Sequence, residues 1–122
     1  MRLVLDSDSR INLVRSYGNG EIIIGERAIT RPLIITPTQL VPDWVATSLA
    51  DLTEAQLEPL FAQAPDVVLL GAGETQMFAS AAVRASFRTR HMALECMTLG
   101  AACRTYNILA SEQRRVAAGL FP

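Results

Sequence analysis

Near the C-terminus, Ala101-Ala-Cys-Arg-Thr-Tyr-Asn107 places a thiol, a guanidinium, a phenol and an amide within five positions. A thiol acts as a nucleophile in its thiolate form, which a helix N-terminus and a neighbouring cation both favour. Cys103 falls in the first turn or so of a predicted helix, beside Arg104. A cysteine nucleophile also needs a base. The single histidine, His91, precedes the strand whose far end leads to Cys103. Five or six extended residues separate the two ends of that strand by roughly 16–20 Å. His91 therefore belongs at the opposite edge of the sheet and cannot activate Cys103. The alternative is that Cys103 is a small buried residue. Asn107 shares its helix face with Cys103, and Tyr106 is expected to pack with its hydroxyl bonded nearby.

Two further sets of polar groups follow apolar runs. Gly71-Ala-Gly73-Glu-Thr-Gln76 succeeds Val67-Val-Leu-Leu70, and Met97-Thr98 succeeds Glu95-Cys96. The glycines supply half of a dinucleotide fingerprint, but position 76, where the third glycine would fall, is Gln. A tight strand-to-helix turn accounts for Gly71 and Gly73. A second reading gives helix N-terminal N–H groups to an anion, with Arg104 closing over it. Glu74 and Arg104 could instead pair with each other. Glu95 interrupts an apolar strand pattern, so its carboxylate is either paired or raised in pKa as a general-acid candidate. The candidate catalytic groups are thus Cys103, Glu95 and Glu74. The candidate ligand or partner crevice comprises Gly71, Gly73, Glu74, Gln76, Thr98, Cys103, Arg104 and Asn107.

These groups have to be positioned by a fold. Residues 1–9 read as an edge segment. Ile11 to Tyr17 and Glu21 to Ile24 read as a hairpin about Gly18-Asn-Gly20, and Gly25-Glu-Arg27 as a second turn. Leu33-Ile-Ile-Thr36 is a short strand between prolines, and Pro42-Asp-Trp44-Val45 a brief extended piece in which Trp44 is a core residue. Thr53-Glu-Ala-Gln56 is a capping box opening a helix that Pro65 ends. Asp66 to Leu70 is a continuous apolar strand of the kind buried in parallel sheets. A helix over Phe78–Arg88, a strand over Met92–Cys96 and a helical region from about Gly100 to Leu120 follow. Arg114 and Arg115 read as a solvated helix face. The pattern predicts a single domain over 1–122: α/β, three-layer, a mixed β-sheet with an N-terminal β-hairpin followed by α-β-α-β-α. In such sheets ligands bind beyond the carboxyl ends of the strands, which is where the crevice residues would meet.

The bulk numbers limit the chemistry. A 122-residue chain that is 50% hydrophobic and 19% charged is globular. Its net charge of -1 argues against nucleic acid as a partner. All eleven cations are arginine, which excludes lysine Schiff-base chemistry and a Walker phosphate loop. Cys96 and Cys103 read as reduced thiols of a cytoplasmic protein, without the companions a metal site needs. No signal peptide and no transmembrane segment is visible, and no cofactor is implied.

Three stretches together carry a family likeness: Ala101-Ala-Cys-Arg-Thr-Tyr-Asn-Ile-Leu109, Glu95-x-Met-x-Thr98 and Val-Leu-Leu-Gly-x-Gly-Glu-x-Gln76. The chain resembles the domain-of-unknown-function family that includes mitochondrial complex I assembly factor 3 and the adipogenesis-associated domain protein. The hairpin at Tyr17 and the Pro37 to Trp44 segment match the same layout. The resemblance implies a bacterial stand-alone member with a three-layer α/β domain. It implies no established catalysis, and relatives of known role act through protein partners. Two functions remain open. One is a non-enzymatic interaction or assembly module with an unidentified protein partner. The other is a small enzyme or binding protein for an anionic metabolite, with Glu74 or Glu95 as acid/base, Cys103 as nucleophile and Arg104 as clamp.

Overall fold

The computed structural model describes residues 10–122, so the edge segment expected over 1–9 lies outside the described residues. Strands β1 (Val14–Gly18), β2 (Glu21–Ile24) and β3 (Arg27–Ile29) form an antiparallel sheet. Asn19 and Gly20, at φ 54° and 77°, make a two-residue turn of the twist that hairpins favour. The turn at Gly25 leads into β3, an element absent from the sequence reading.

The second sheet has five strands in the order β5 (Leu40–Val41), β4 (Leu33–Ile35), β8 (Val116–Phe121), β6 (Val67–Ala72), β7 (Ala93–Met97). β6 runs parallel to both β7 and β8, while β4 is antiparallel to β8 and β5. A 3₁₀ turn (Glu54–Leu57) continues into α1 (Glu58–Phe61). Gln56 Oε1 accepts the Thr53 N–H there at 3.0 Å, as the capping motif predicts. α2 (Ala81–Thr89) and α3 (Leu99–Ser111) start at Ser80 and Thr98, whose hydroxyls accept the N–H of Val83 and Ala101.

Each face of the five-stranded sheet carries its own core. On one face α3 and the three-stranded sheet enclose Ile22, Leu33, Ile35, Leu69, Tyr106 and Leu120. On the other, α1, α2 and Trp44 enclose Ile34, Leu57, Leu60, Val68, Leu70 and Phe87. The mixed three-layer α/β class is therefore as the sequence reads. Its C-terminal end is not. The helical region expected to reach Leu120 stops at Ser111, and the remaining segment is β8, the middle strand of the sheet.

The reason lies in the composition of β8, Val-Ala-Ala-Gly-Leu-Phe, whose six residues are all buried. Its small residues are fitted to close neighbours. A Cβ on Gly119 would sit 2.8 Å from both Leu70 Cδ2 and Trp44 Cζ3. A strand pressed from both faces reads as alanine-rich helix in sequence. Trp44 itself is 3% exposed, stacks obliquely on Phe121 at 5.4 Å and donates its indole N–H to the Gln56 carbonyl at 2.7 Å. It is the core residue the sequence suggested.

Candidate functional site

The helix α3 carries the chemistry-bearing motif, and its burial sorts the groups. Ala102, Cys103, Tyr106 and Asn107 face inward, while Arg104 is exposed. Cys103 is fully covered by the core. Burial pushes its thiol from 9.0 up to about 12, and the nearby Arg104 charge offsets only part of that cost. The thiol stays protonated and out of reach, which removes the nucleophile reading. His91 stands past the end of α2, before β7, and Cys103 lies beyond the other end of β7, as the strand length required.

The remaining polar groups of the motif are committed to the N-terminal sheet. Asn107 Oδ1 accepts the Val14 N–H at 2.8 Å, and Asn107 Nδ2 donates to the Val14 carbonyl at 2.8 Å. One side-chain amide thus pairs with one residue of β1 as a neighbouring strand would. Tyr106 Oη donates to the Asn12 carbonyl at 2.7 Å. Burial pushes its phenol above the ordinary value. Arg104 Nη1 donates to Tyr17 Oη at 3.0 Å. That hydroxyl lies over Gly100, where a Cβ would come within 2.5 Å of it. Four bonds from three side chains of α3 therefore tie the helix to β1 and the residues just before it.

The expected crevice is correspondingly filled. A Cβ on Gly71 would collide with that of Ala102, so this glycine serves the close approach of α3 to β6. The Gly73 carbonyl accepts the Leu99 N–H at 3.0 Å, and Thr98 Oγ1 accepts from Ala101, so two of the first N–H groups of α3 are already bonded within the protein. Gly73 takes φ 69° in the loop, where Glu74 is exposed. Among the described residues Glu74 makes no ion pair with Arg104, which bonds to Tyr17; a salt bridge elsewhere joins Arg115 to Asp66 at 2.9 Å. Glu95 is exposed on β7 opposite Leu69, not enclosed as its neighbours suggested. The alternation that puts Leu94 and Cys96 inward turns it to solvent.

Gln76 alone of the loop group reaches the neighbouring strand end, donating to the Cys96 carbonyl at 3.1 Å. It lies on a surface cavity of about 700 Å³ running along β7, together with Phe78, Arg84 and Arg88. β7 is the last strand of its sheet, and Phe78 is 64% exposed beside it. Neither feature was picked out in the sequence; the signal was Met77-Phe78, two apolar residues in a polar loop. Among the described residues no group of three or more His, Cys, Asp or Glu gathers in a metal-binding arrangement, and no helix is long and apolar enough to cross a membrane.

Residues 14–121 match the family described as protein of unknown function, DUF498/DUF598. A solved NMR structure of a Xanthomonas campestris protein is 40% identical, covering 90% of this chain and 83% of that one, at a TM-score of 0.82. The 13 kDa major membrane protein of Francisella tularensis is 26% identical over 84% of each chain. NADH dehydrogenase [ubiquinone] 1 alpha subcomplex assembly factor 3 of Danio rerio is 30% identical over 85% of this chain, which spans 57% of that relative's length.

Proposed function

The chain belongs to the DUF498/DUF598 family of proteins of unknown function, and we propose that it is a non-enzymatic module that binds a protein partner during assembly. The zebrafish relative is named for assembling a respiratory enzyme. The observation that carries the reading for this chain is the β7 edge. Its outer side has no neighbouring strand among the described residues, and Phe78 stands exposed at the cavity along it. An exposed edge with apolar side chains beside it is where an extended segment of another protein adds a strand. The buried, protonated Cys103 and the internally bonded Arg104 support binding over catalysis. The free thiols of Cys96 and Cys103 suit a cytoplasmic setting.

Capture from native lysate on the tagged chain is expected to return one partner in stoichiometric amount. Phe78→Asp, at an exposed position, is expected to lose that partner while melting at the wild-type temperature. A wild-type chain that comes out alone overturns the module reading. A partner retained by Phe78→Asp overturns the assignment to β7.

A further inference from the structure

At the end of the sheet opposite the α3 N-terminus lies a cavity of about 750 Å³. It opens between the turn after β4, the segment after α1 and the C-terminal turn of α3. Ile11, Pro37, Pro65, Ala110 and Val116 give it apolar walls. Every charged side chain lining it among the described residues is an arginine: Arg10, Arg114 and Arg115. The volume is that of an ordinary small-molecule site, and apolar walls with a few convergent polar groups are its usual construction.

The arginines are not explained by the helix they follow. A cation after a helix commonly serves the last carbonyls. Here those carbonyls are taken by the backbone: Glu112 N–H bonds to Ile108, Gln113 N–H to Ala110 and Arg114 N–H to Leu109. The Arg114 guanidinium makes no hydrogen bond or ion pair among the described residues, and Arg115 shares its charge with exposed Asp66. In a chain of net charge -1, Arg114 and Arg115 thus bring positive charge to one apolar cavity.

We propose that this cavity binds a small molecule with an oxyanion head, carboxylate or phosphate, on an apolar body. The head meets the planar forks of Arg114 and Arg115, which match oxyanion geometry. The body lies against Pro37, Pro65 and Val116. This site is independent of the partner surface at β7, which lies at another edge of the molecule.

Titrations of the full chain with decanoate, decyl phosphate and decanol, followed by amide chemical shifts, test it. One of the two anions is expected to shift residues 36–38, 63–65 and 110–116 saturably, which also tells carboxylate from phosphate. Arg114→Ala is expected to weaken that probe tenfold or more, and Arg114→Lys less, with the melting temperature unchanged. Decanol binding as tightly as both anions, shifts confined to other residues, no saturable shift with either anion, or an unaffected Arg114→Ala each overturns the proposal.

Discussion

The amide of Asn107 is the clearest case of a reactive-looking residue with a structural use. Its two bonds to Val14 are buried, and removing it orphans both backbone groups of a strand residue. Leaving a buried polar group unpaired costs roughly 1–3 kcal/mol. Asn107→Ala is therefore expected to lose about 2–4 kcal/mol in urea unfolding, whereas Arg104→Ala, at an exposed bond, should stay within about 1 kcal/mol of wild type. Cys103 gives a pH prediction with a definite sign. In the unfolded chain its thiol ionises near 9.0, and in the fold it holds its proton up to about 12. Between those values the unfolded chain binds fewer protons, so stability is complete below pH 9 and falls as pH rises toward 12. Tyr106, also raised by burial, acts in the same direction from its ordinary value of 10.0 upward. Urea midpoints measured from pH 8 to 11 should fall for the wild type and fall less steeply for Cys103→Ala. A variant slope equal to the wild type would contradict this.

At the scale of elements, strands and helices were readable where local chemistry announced them, and their ends were not. The Gly18-Asn-Gly20 turn, the apolar run of β6 and the cap at Thr53 each name an element before any tertiary contact is known, whereas the caps Ser80 and Thr98 emerge only in the fold. The helix stops lack the usual glycine. Ala64, His91 and Gln113 take φ 47°, 54° and 62° just beyond α1, α2 and α3. After α2, the His91 N–H bonds to Arg88 and the Met92 N–H to Phe87, the double bond of a left-handed helix end. A glycine would make that end visible in the sequence and relieve the backbone. His91→Gly is accordingly expected to raise stability by about 0.5–1 kcal/mol, the αL relief being partly offset by unfolded-chain entropy; a lowered urea midpoint would contradict it. The same missing signal at Gln113 let α3 run on into β8 in the sequence reading. The candidate site failed to be legible for a related reason. Sequence spacing brought Cys103, Arg104 and Asn107 together correctly, but their partners Tyr17 and Val14 are 87 and 93 residues away. Nothing local to the motif shows that those groups are already spent.

For the whole molecule the decisive fact is that the middle strand of the main sheet, β8, follows all the other described strands in the chain. β8 joins an antiparallel half, entered through Leu33↔Leu120, to a parallel half, entered through Val67↔Val116. Without it β4 and β5 have no link to β6 and β7 within the sheet. Both cores also lose lining residues, since Val116, Ala118 and Leu120 belong to one and Ala117 and Phe121 to the other. Contacts that close only across most of the chain bring their loop entropy due before they return any burial. A chain ending at Arg115 keeps every described helix and seven of the eight described strands in its sequence. Were the segment a terminal helix on the surface, its removal would leave a cooperative fold. As the central strand, its removal is expected to abolish cooperative unfolding by heat or urea and to collapse amide shift dispersion. Adding a synthetic peptide of residues 116–122 should restore dispersion in proportion to occupancy, because the missing piece is a single extended segment with both edges paired. A 1–115 chain that melts cooperatively on its own would mean that the two halves hold together through α3 and the flanking layers without their shared strand.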